Sequence, residues 1–175
     1  MKKIYLYFIS ILICSSIFAN KKGIVIEENR TEYPLQNYIA VLEDKNNSYT
    51  IQHLIENDSL FNTSSNFNNG FTPSAFWYKF SIHNPTDKAA NLIANVSYPD
   101  LNILDFYETH NNEVINAVQT GESKPFNSRV LTHRNYLFPI KISPESSRSF
   151  YFKAFNHGDT VNLPISLKEQ TTFFL

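Results

Sequence analysis

The chain has 175 residues, of which 42% are hydrophobic with 15 Phe and 10 Tyr, enough for one domain with a sizeable packed core. A formal net charge of -1 removes the electrostatic reason to expect nucleic acid or an anionic membrane surface as a partner. The single cysteine, Cys14, lies in the N-terminal apolar run, which excludes a disulfide framework, a cysteine-ligated metal or a thiol nucleophile from the remainder.

The N-terminus opens MKKIYLYFISILICSSIFAN. Lys2 and Lys3 precede an apolar stretch from Ile4 to Ile13, and small residues follow, the layout of a secretory signal peptide. Residues 1–19 are expected to be removed, with cleavage after Ala19 or, alternatively, after Ser16. The apolar run is shorter than the roughly 20 residues that span a bilayer, and Ile13 before Cys14 is too bulky for lipoprotein processing. An exported, soluble mature chain is the expectation, with one domain over residues 24–175.

Along that domain helical periodicity is nearly absent. The segment SYTIQHLIEND carries one short apolar stripe, Ile51, Leu54 and Ile55, which predicts a helix near residues 50–56 capped by Ser48 or Thr50. FNTSSNFNNG then reads as an exposed loop. From residue 76 onward alternation takes over. Phe76, Tyr78, Phe80 and Ile82 oppose Trp77, Lys79, Ser81 and His83; Leu92, Ala94, Val96 and Tyr98 oppose polar neighbours. Leu104–Glu108 and Phe150–Phe155 are apolar on both faces, as central strands are. Tyr136, Phe138, Ile140 and Ile142 form another inward set, as do Val161, Leu163, Ile165 and Leu167, where Pro164 predicts an edge or a bulge.

A period of two puts one set on a buried sheet face and the other outward. Turn-like clusters at HNPTDK, YPD, THNNE, TGESKPFN, SPESS and NHGD separate the strands at the spacing of a sandwich or barrel. The reading is an all-β, antiparallel, jelly-roll-like sandwich. Its expected core includes Tyr78, Phe80, Ile82, Phe138, Ile140, Phe150, Phe152, Leu163 and Ile165.

Catalytic chemistry finds little support. His53, His83, His110, His133 and His157 stand singly, without the spacings that mark a metal site. No G-x-S-x-G elbow occurs, and 4 Gly in the whole chain leave no phosphate-cradling loop. Asp100, Asp105 and Glu108 cluster near one strand and more readily solvate it than serve as a carboxylate pair. No enzyme, metal or cofactor is expected. The candidate ligand-binding residues are Arg129 and Arg134, whose planar forks suit carboxylates and hydroxyl-rich ligands, Trp77 as a stacking plane, His83 on the same polar face, and Tyr107 should its strand lie nearby. Each also has a bland alternative: surface arginines paired with loop acids, and a tryptophan inside the sandwich.

The ordered series LEDKNNSYTIQHL, NNGFTPSAFWYKFSIHNPT, YPDLNILDFYE, TGESKPFNSR, HRNYLFPIKISP and SRSFYFKAF resembles the type 2 extracellular domain of bacterial seven-transmembrane receptors with diverse intracellular signalling modules. The resemblance runs from about Tyr38 to Phe174. Trp77, Asn84, Gly121, Phe126 and Arg129 fall on the family's pattern, with Arg134 at a frequent second basic position; Lys153 stands where many members carry arginine.

The resemblance implies a jelly roll similar to carbohydrate-binding modules, placed outside the inner membrane. It implies a periplasmic sensor for a small extracellular ligand, a carbohydrate or a carboxylated compound, acting with membrane helices in the same or another chain. A stand-alone secreted carbohydrate-binding or envelope-interaction protein is the alternative. The sequence ends at Leu175 without membrane helices, as in a stand-alone form or a truncated receptor, and the final FFL reads as an interrupted strand.

Overall fold

The structure, a computed structural model, describes residues 23–64 and 66–174; the expected signal peptide lies outside them. The strands in chain order are β1 (Ile24–Val25), β2 (Glu32–Tyr33), β3 (Ala40–Asp44), β4 (Asn62–Thr63), β5 (Asn68–Phe71), β6 (Ala75–Asn84), β7 (Ala90–Val96), β8 (Ile103–His110), β9 (Glu113–Thr120), β10 (Tyr136–Ile142), β11 (Ser146–Phe155), β12 (Thr160–Asn162) and β13 (Ile165–Glu169). Two short helices join them, α1 (Ile51–Glu56) and α2 (Gln170–Phe173).

One sheet runs β4-β3-β6-β11-β8-β9, with β1 parallel to the far end of β6; a second runs β10-β7-β13-β2; β12 and β5 form a small ribbon. The chain crosses between the two main sheets from β6 to β7, β7 to β8, β9 to β10 and β10 to β11, which gives the expected all-β sandwich. The β8–β9 hairpin turns at Asn111 and Asn112, both at positive φ (50° and 64°). Asparagine tolerates that conformation best among residues with a side chain, and the turn matches the twist of the flanking strands.

The core lies where alternation puts it. All nine expected core residues are buried in one cluster that joins the sheets. Its centre is aromatic: Phe138 of β10 stands 4.7 Å from Phe106 of β8 and 5.2 Å from Phe152 of β11, ring centre to ring centre. The helix lies where its stripe predicts, and Thr50 is its cap, with Oγ1 accepting from the His53 amide.

Four sequence expectations are corrected. FNTSSNFNNG is not a plain loop: Asn62–Thr63 pairs with β3, and Asn68–Phe71 pairs with β12. Val161–Lys168 is not one strand, because Leu163 and Pro164 break it into β12 and β13, which belong to different sheets. Pro164, with no N–H for a ladder, sits at that break and offers only its carbonyl, to the Ser97 amide. Gln170–Phe173 form the short helix α2, so Phe173 of the final FFL is helical rather than part of an interrupted strand. Finally, Trp77 is on the outer face of its sheet as the alternation requires, yet that face is not wet there. Helix α1 covers it, so Trp77 is 1% exposed and packs in a second apolar cluster with Leu54, Ile55, Phe61 and Tyr151.

A candidate ligand groove on the outer sheet face

Three neighbouring strands build the uncovered part of that outer face. Register sets Tyr151 of β11 between Lys79 of β6 and Tyr107 of β8, and Ser149 between Ser81 and Thr109, with Ser147 opposite His83. The result is a ladder of hydroxyls. Ser81 Oγ and Ser149 Oγ lie 2.8 Å apart, Thr109 Oγ1 donates to the Ser149 carbonyl at 3.2 Å, and Ser147 Oγ lies 2.9 Å from His83 Nδ1.

Ile55 and Asp58 wall this floor on one side. The hairpin residues His110–Asn112 and the turn Glu145–Arg148 wall it on the other, enclosing an open groove of about 640 Å³. That size falls in the range of small-molecule sites.

Both cations that line the groove, Lys79 and Arg148, have an acidic partner, while Glu145 on the rim is exposed. Lys79 Nζ bonds Asp58 Oδ1 and lies 5.2 Å from the Tyr151 ring centre. Arg148 faces Glu108 at 3.6 Å and donates through Nη1 to His110 Nδ1 at 2.8 Å. Burial pushes the Tyr151 hydroxyl pKa well up, and the Asp58 carboxylate pushes it further, so this phenol stays protonated. Burial likewise raises Glu108, opposed by Arg148. Each hydroxyl is one donor with two acceptor sites, so the ladder keeps bonding capacity for a ligand after its internal bonds are made.

The five sequence candidates do not form one site. Trp77 and Tyr107 come together, stacked at 5.9 Å with 26° between their planes, because β11 separates their strands by one ladder on each side. Trp77 is spent on the apolar cluster and on donating Nε1 to the buried Asp44 at 3.3 Å. His83 lies on the same face farther along β6 and is exposed. Arg129 is elsewhere, in the loop between β9 and β10. Its Nη1 donates to the carbonyls of His133 (3.1 Å) and Arg134 (2.5 Å), and its guanidinium lies 3.9 Å from the Tyr136 ring centre. It organises that loop, and Arg134 is exposed beside it.

The groove residues Ser81, Ser147, Ser149 and Lys79 were not singled out from sequence. Their signal, polar residues in step with the inward aromatics, is the same as that of any solvated strand face. Among the described residues no group of three or more His, Cys, Asp or Glu side chains is placed to hold a metal.

Asp105, at the other end of the face, is buried beside Lys153 and Gln119 on the adjacent strands. Burial raises its pKa above 3.8 and outweighs the opposing pull of Lys153 and Lys124. The folded chain therefore holds this proton more tightly than the unfolded chain. Its contribution is present below the unfolded pKa and is lost as pH rises through the folded one. Asp105→Asn should then raise Tm at about pH 7 and leave it unchanged at about pH 3. A lower Tm than wild type at the higher pH in thermal melts would show that the lysines dominate instead.

Among solved structures, the native structure of a family 35 carbohydrate-binding module from Clostridium thermocellum is similar at 9% identity with a TM-score of 0.36, over 78% of this chain and 95% of that one. No curated protein matches the chain. The family model for the 7TMR-DISM extracellular 2 domain matches residues 36–169, which takes in every strand from β3 to β13, and the chain belongs to that family.

Proposed function

We propose that this chain is the extracytoplasmic sensor domain of a bacterial membrane receptor, non-enzymatic, and that a small hydroxyl-rich ligand occupies the groove on the outer face of the large sheet. Membership in a receptor extracellular-domain family supports the sensor role. The observation that carries the ligand class is the hydroxyl ladder of Ser81, Ser149, Thr109 and Ser147 across three registered strands. Its flanking cations, Lys79 and Arg148, already have acidic partners within the protein, so the site selects for hydroxyl groups before charge. Sugars fit best, and hydroxylated carboxylates come next by engaging Lys79.

The test is thermal shift of the purified protein against neutral sugars, uronic acids and hydroxylated dicarboxylates. A ligand at about 100 times its Kd should stabilise the fold by about 2.7 kcal/mol. Ser149→Ala should weaken binding by about 0.5–1.5 kcal/mol, the net value of a neutral hydrogen bond. Lys79→Ala should weaken a carboxylated ligand by about 1.5–3 kcal/mol. Arg129→Ala and Arg134→Ala should retain the ligand shift. If they lose it while Ser149→Ala keeps it, the site lies in the 121–135 loop.

A further inference from the structure

We propose that the loop between β9 and β10, together with α2 and Phe174 after it, is a membrane-contact surface that rests on the anionic headgroups of a phospholipid bilayer and inserts Phe126 and Phe174 among them. The inference rests on the reading of this chain as the extracytoplasmic domain of a membrane receptor, which family membership supports. Phe126, Val130 and Phe174 are exposed at 57%, 45% and 60%. They belong to one patch, because contacts run through it in series. The Arg129 guanidinium, next to Val130, lies 5.0 Å from the Phe126 ring centre, and its Nη1 donates to the His133 carbonyl at 3.1 Å. The His133 ring stands edge-on to Phe173 at 6.2 Å, and Phe173 edge-on to Phe174 at 5.2 Å. A tied loop presents these side chains. The Arg129 amide donates to the Phe126 carbonyl at 3.2 Å, and the Ser128 and Thr120 hydroxyl oxygens lie 2.9 Å apart.

Charge identifies the occupant. The net charge of -1 hides an uneven distribution. From Ser123 to Asn135 the chain carries Lys124, Arg129 and Arg134 and no acid, and residues 170–174 carry none either. Lys124 and Arg134 are exposed. Glu122, just before the stretch, accepts from the Asn102 side chain at 3.4 Å, and Asp100 borders Tyr136. Exposed rings beside exposed cations fit a bilayer interface, where apolar groups enter the acyl boundary while lysine and arginine keep their charge among the phosphates. An acidic peptide satisfies the cations alone, since two rings projecting from separate segments need matching pockets in a rigid partner. A fluid surface takes both rings and cations at once. The contact is weak for a free domain and counts once the domain is held beside a membrane, where its effective concentration is about millimolar.

Co-sedimentation of the purified protein with vesicles reads this directly. Wild type is expected to bind vesicles of phosphatidylglycerol and phosphatidylcholine mixed about 3:7, and to lose most of that binding on pure phosphatidylcholine or at about 0.5 M salt. Arg134→Ala should lower the partition coefficient about fivefold. Phe126→Ala or Phe174→Ala should lower it about tenfold, with unchanged melting curves. Ser149→Ala, in the ligand groove, should bind vesicles as wild type does. A wild type that stays in the supernatant with anionic vesicles overturns the proposal. So does binding that survives both phenylalanine truncations, or binding indifferent to salt and to Arg134→Ala. A lipid-free dimer that Phe126→Ala dissolves, with no vesicle binding, also overturns it and gives the patch to a second copy. A sugar-dependent thermal shift without vesicle binding removes this inference alone; vesicle binding without any ligand shift supports it and removes only the groove reading.

Discussion

Gly121→Ala is expected to lower stability by more than about 4 kcal/mol, beyond the range of ordinary point substitutions. Gly121 closes β9 at φ +128°, a backbone conformation that side-chain-bearing residues rarely adopt and that costs about 1–3 kcal/mol when imposed on one. Space is the larger objection. A Cβ on Gly121 would stand 2.3 Å from the Asn102 carbonyl oxygen and 2.9 Å from Ile103 Cα, and these are backbone atoms that cannot rotate away.

Moving that segment has further consequences. The Leu101 carbonyl accepts from the Glu122 amide at 2.7 Å and the Asn102 carbonyl from the Ser123 amide at 3.1 Å. The Asn102 amide, in turn, donates to the buried Asn156 side chain at 2.6 Å. A substitution at Gly121 therefore strains the junction of β8, β9 and the turn after β11 together. Urea titration followed by circular dichroism measures the loss. A variant within about 1 kcal/mol of wild type would mean the turn relaxes freely, against the packing described here. Gly158, also at positive φ (69°) but with nothing within 4 Å of its Cβ position, supplies the comparison. Gly158→Ala should cost only the conformational part.

Period-two alternation made the sandwich legible because it reports directly which side chains leave water. Wherever one face was apolar and the other polar, as in β6, β7 and β10, the residues and the buried face both agree with the structure. β9 was not legible. Val114, Ile115, Ala117 and Val118 put apolar residues on both faces of a strand that is mostly exposed, so no amphipathic contrast exists to read. β4 and β5 failed for a different reason. Their asparagine-rich segments have poor strand propensity, and they are held by pairing with β3 and β12, partners distant in sequence.

The site was the least legible. Trp77 carried the strongest residue-level signal for ligand stacking, but α1 folds over it, and no local pattern states where a helix comes to rest. The hydroxyl groove depends on two registers, β6 with β11 and β11 with β8. Sequence displays the serines of each strand and is silent about which ones meet.

Phe138→Ala is the complementary experiment, since it tests the joint between the sheets rather than a turn within one. Phe138 is 2% exposed on β10, at the edge of the small sheet, and its ring reaches Phe106 and Phe152 of the large one. Phe106 in turn contacts Phe150, which stacks on Phe80 at 5.2 Å, and Phe152 also stacks on Phe80. One residue thus ties the small sheet into an aromatic cluster drawn from β6, β8 and β11. Truncation removes the transfer free energy of a buried ring and leaves a cavity that two strands fixed by their ladders cannot close. The expected loss is about 3–5 kcal/mol. Against a total stability of roughly 5–15 kcal/mol, that can leave a measurable unfolded fraction at 37 °C. Phe126→Ala, a truncation of the same ring at an exposed loop position, should cost less than about 1 kcal/mol. Equal losses at the two positions would mean that the sheets are not joined through Phe138, and the assignment of inner and outer faces on β10 would have to be reversed.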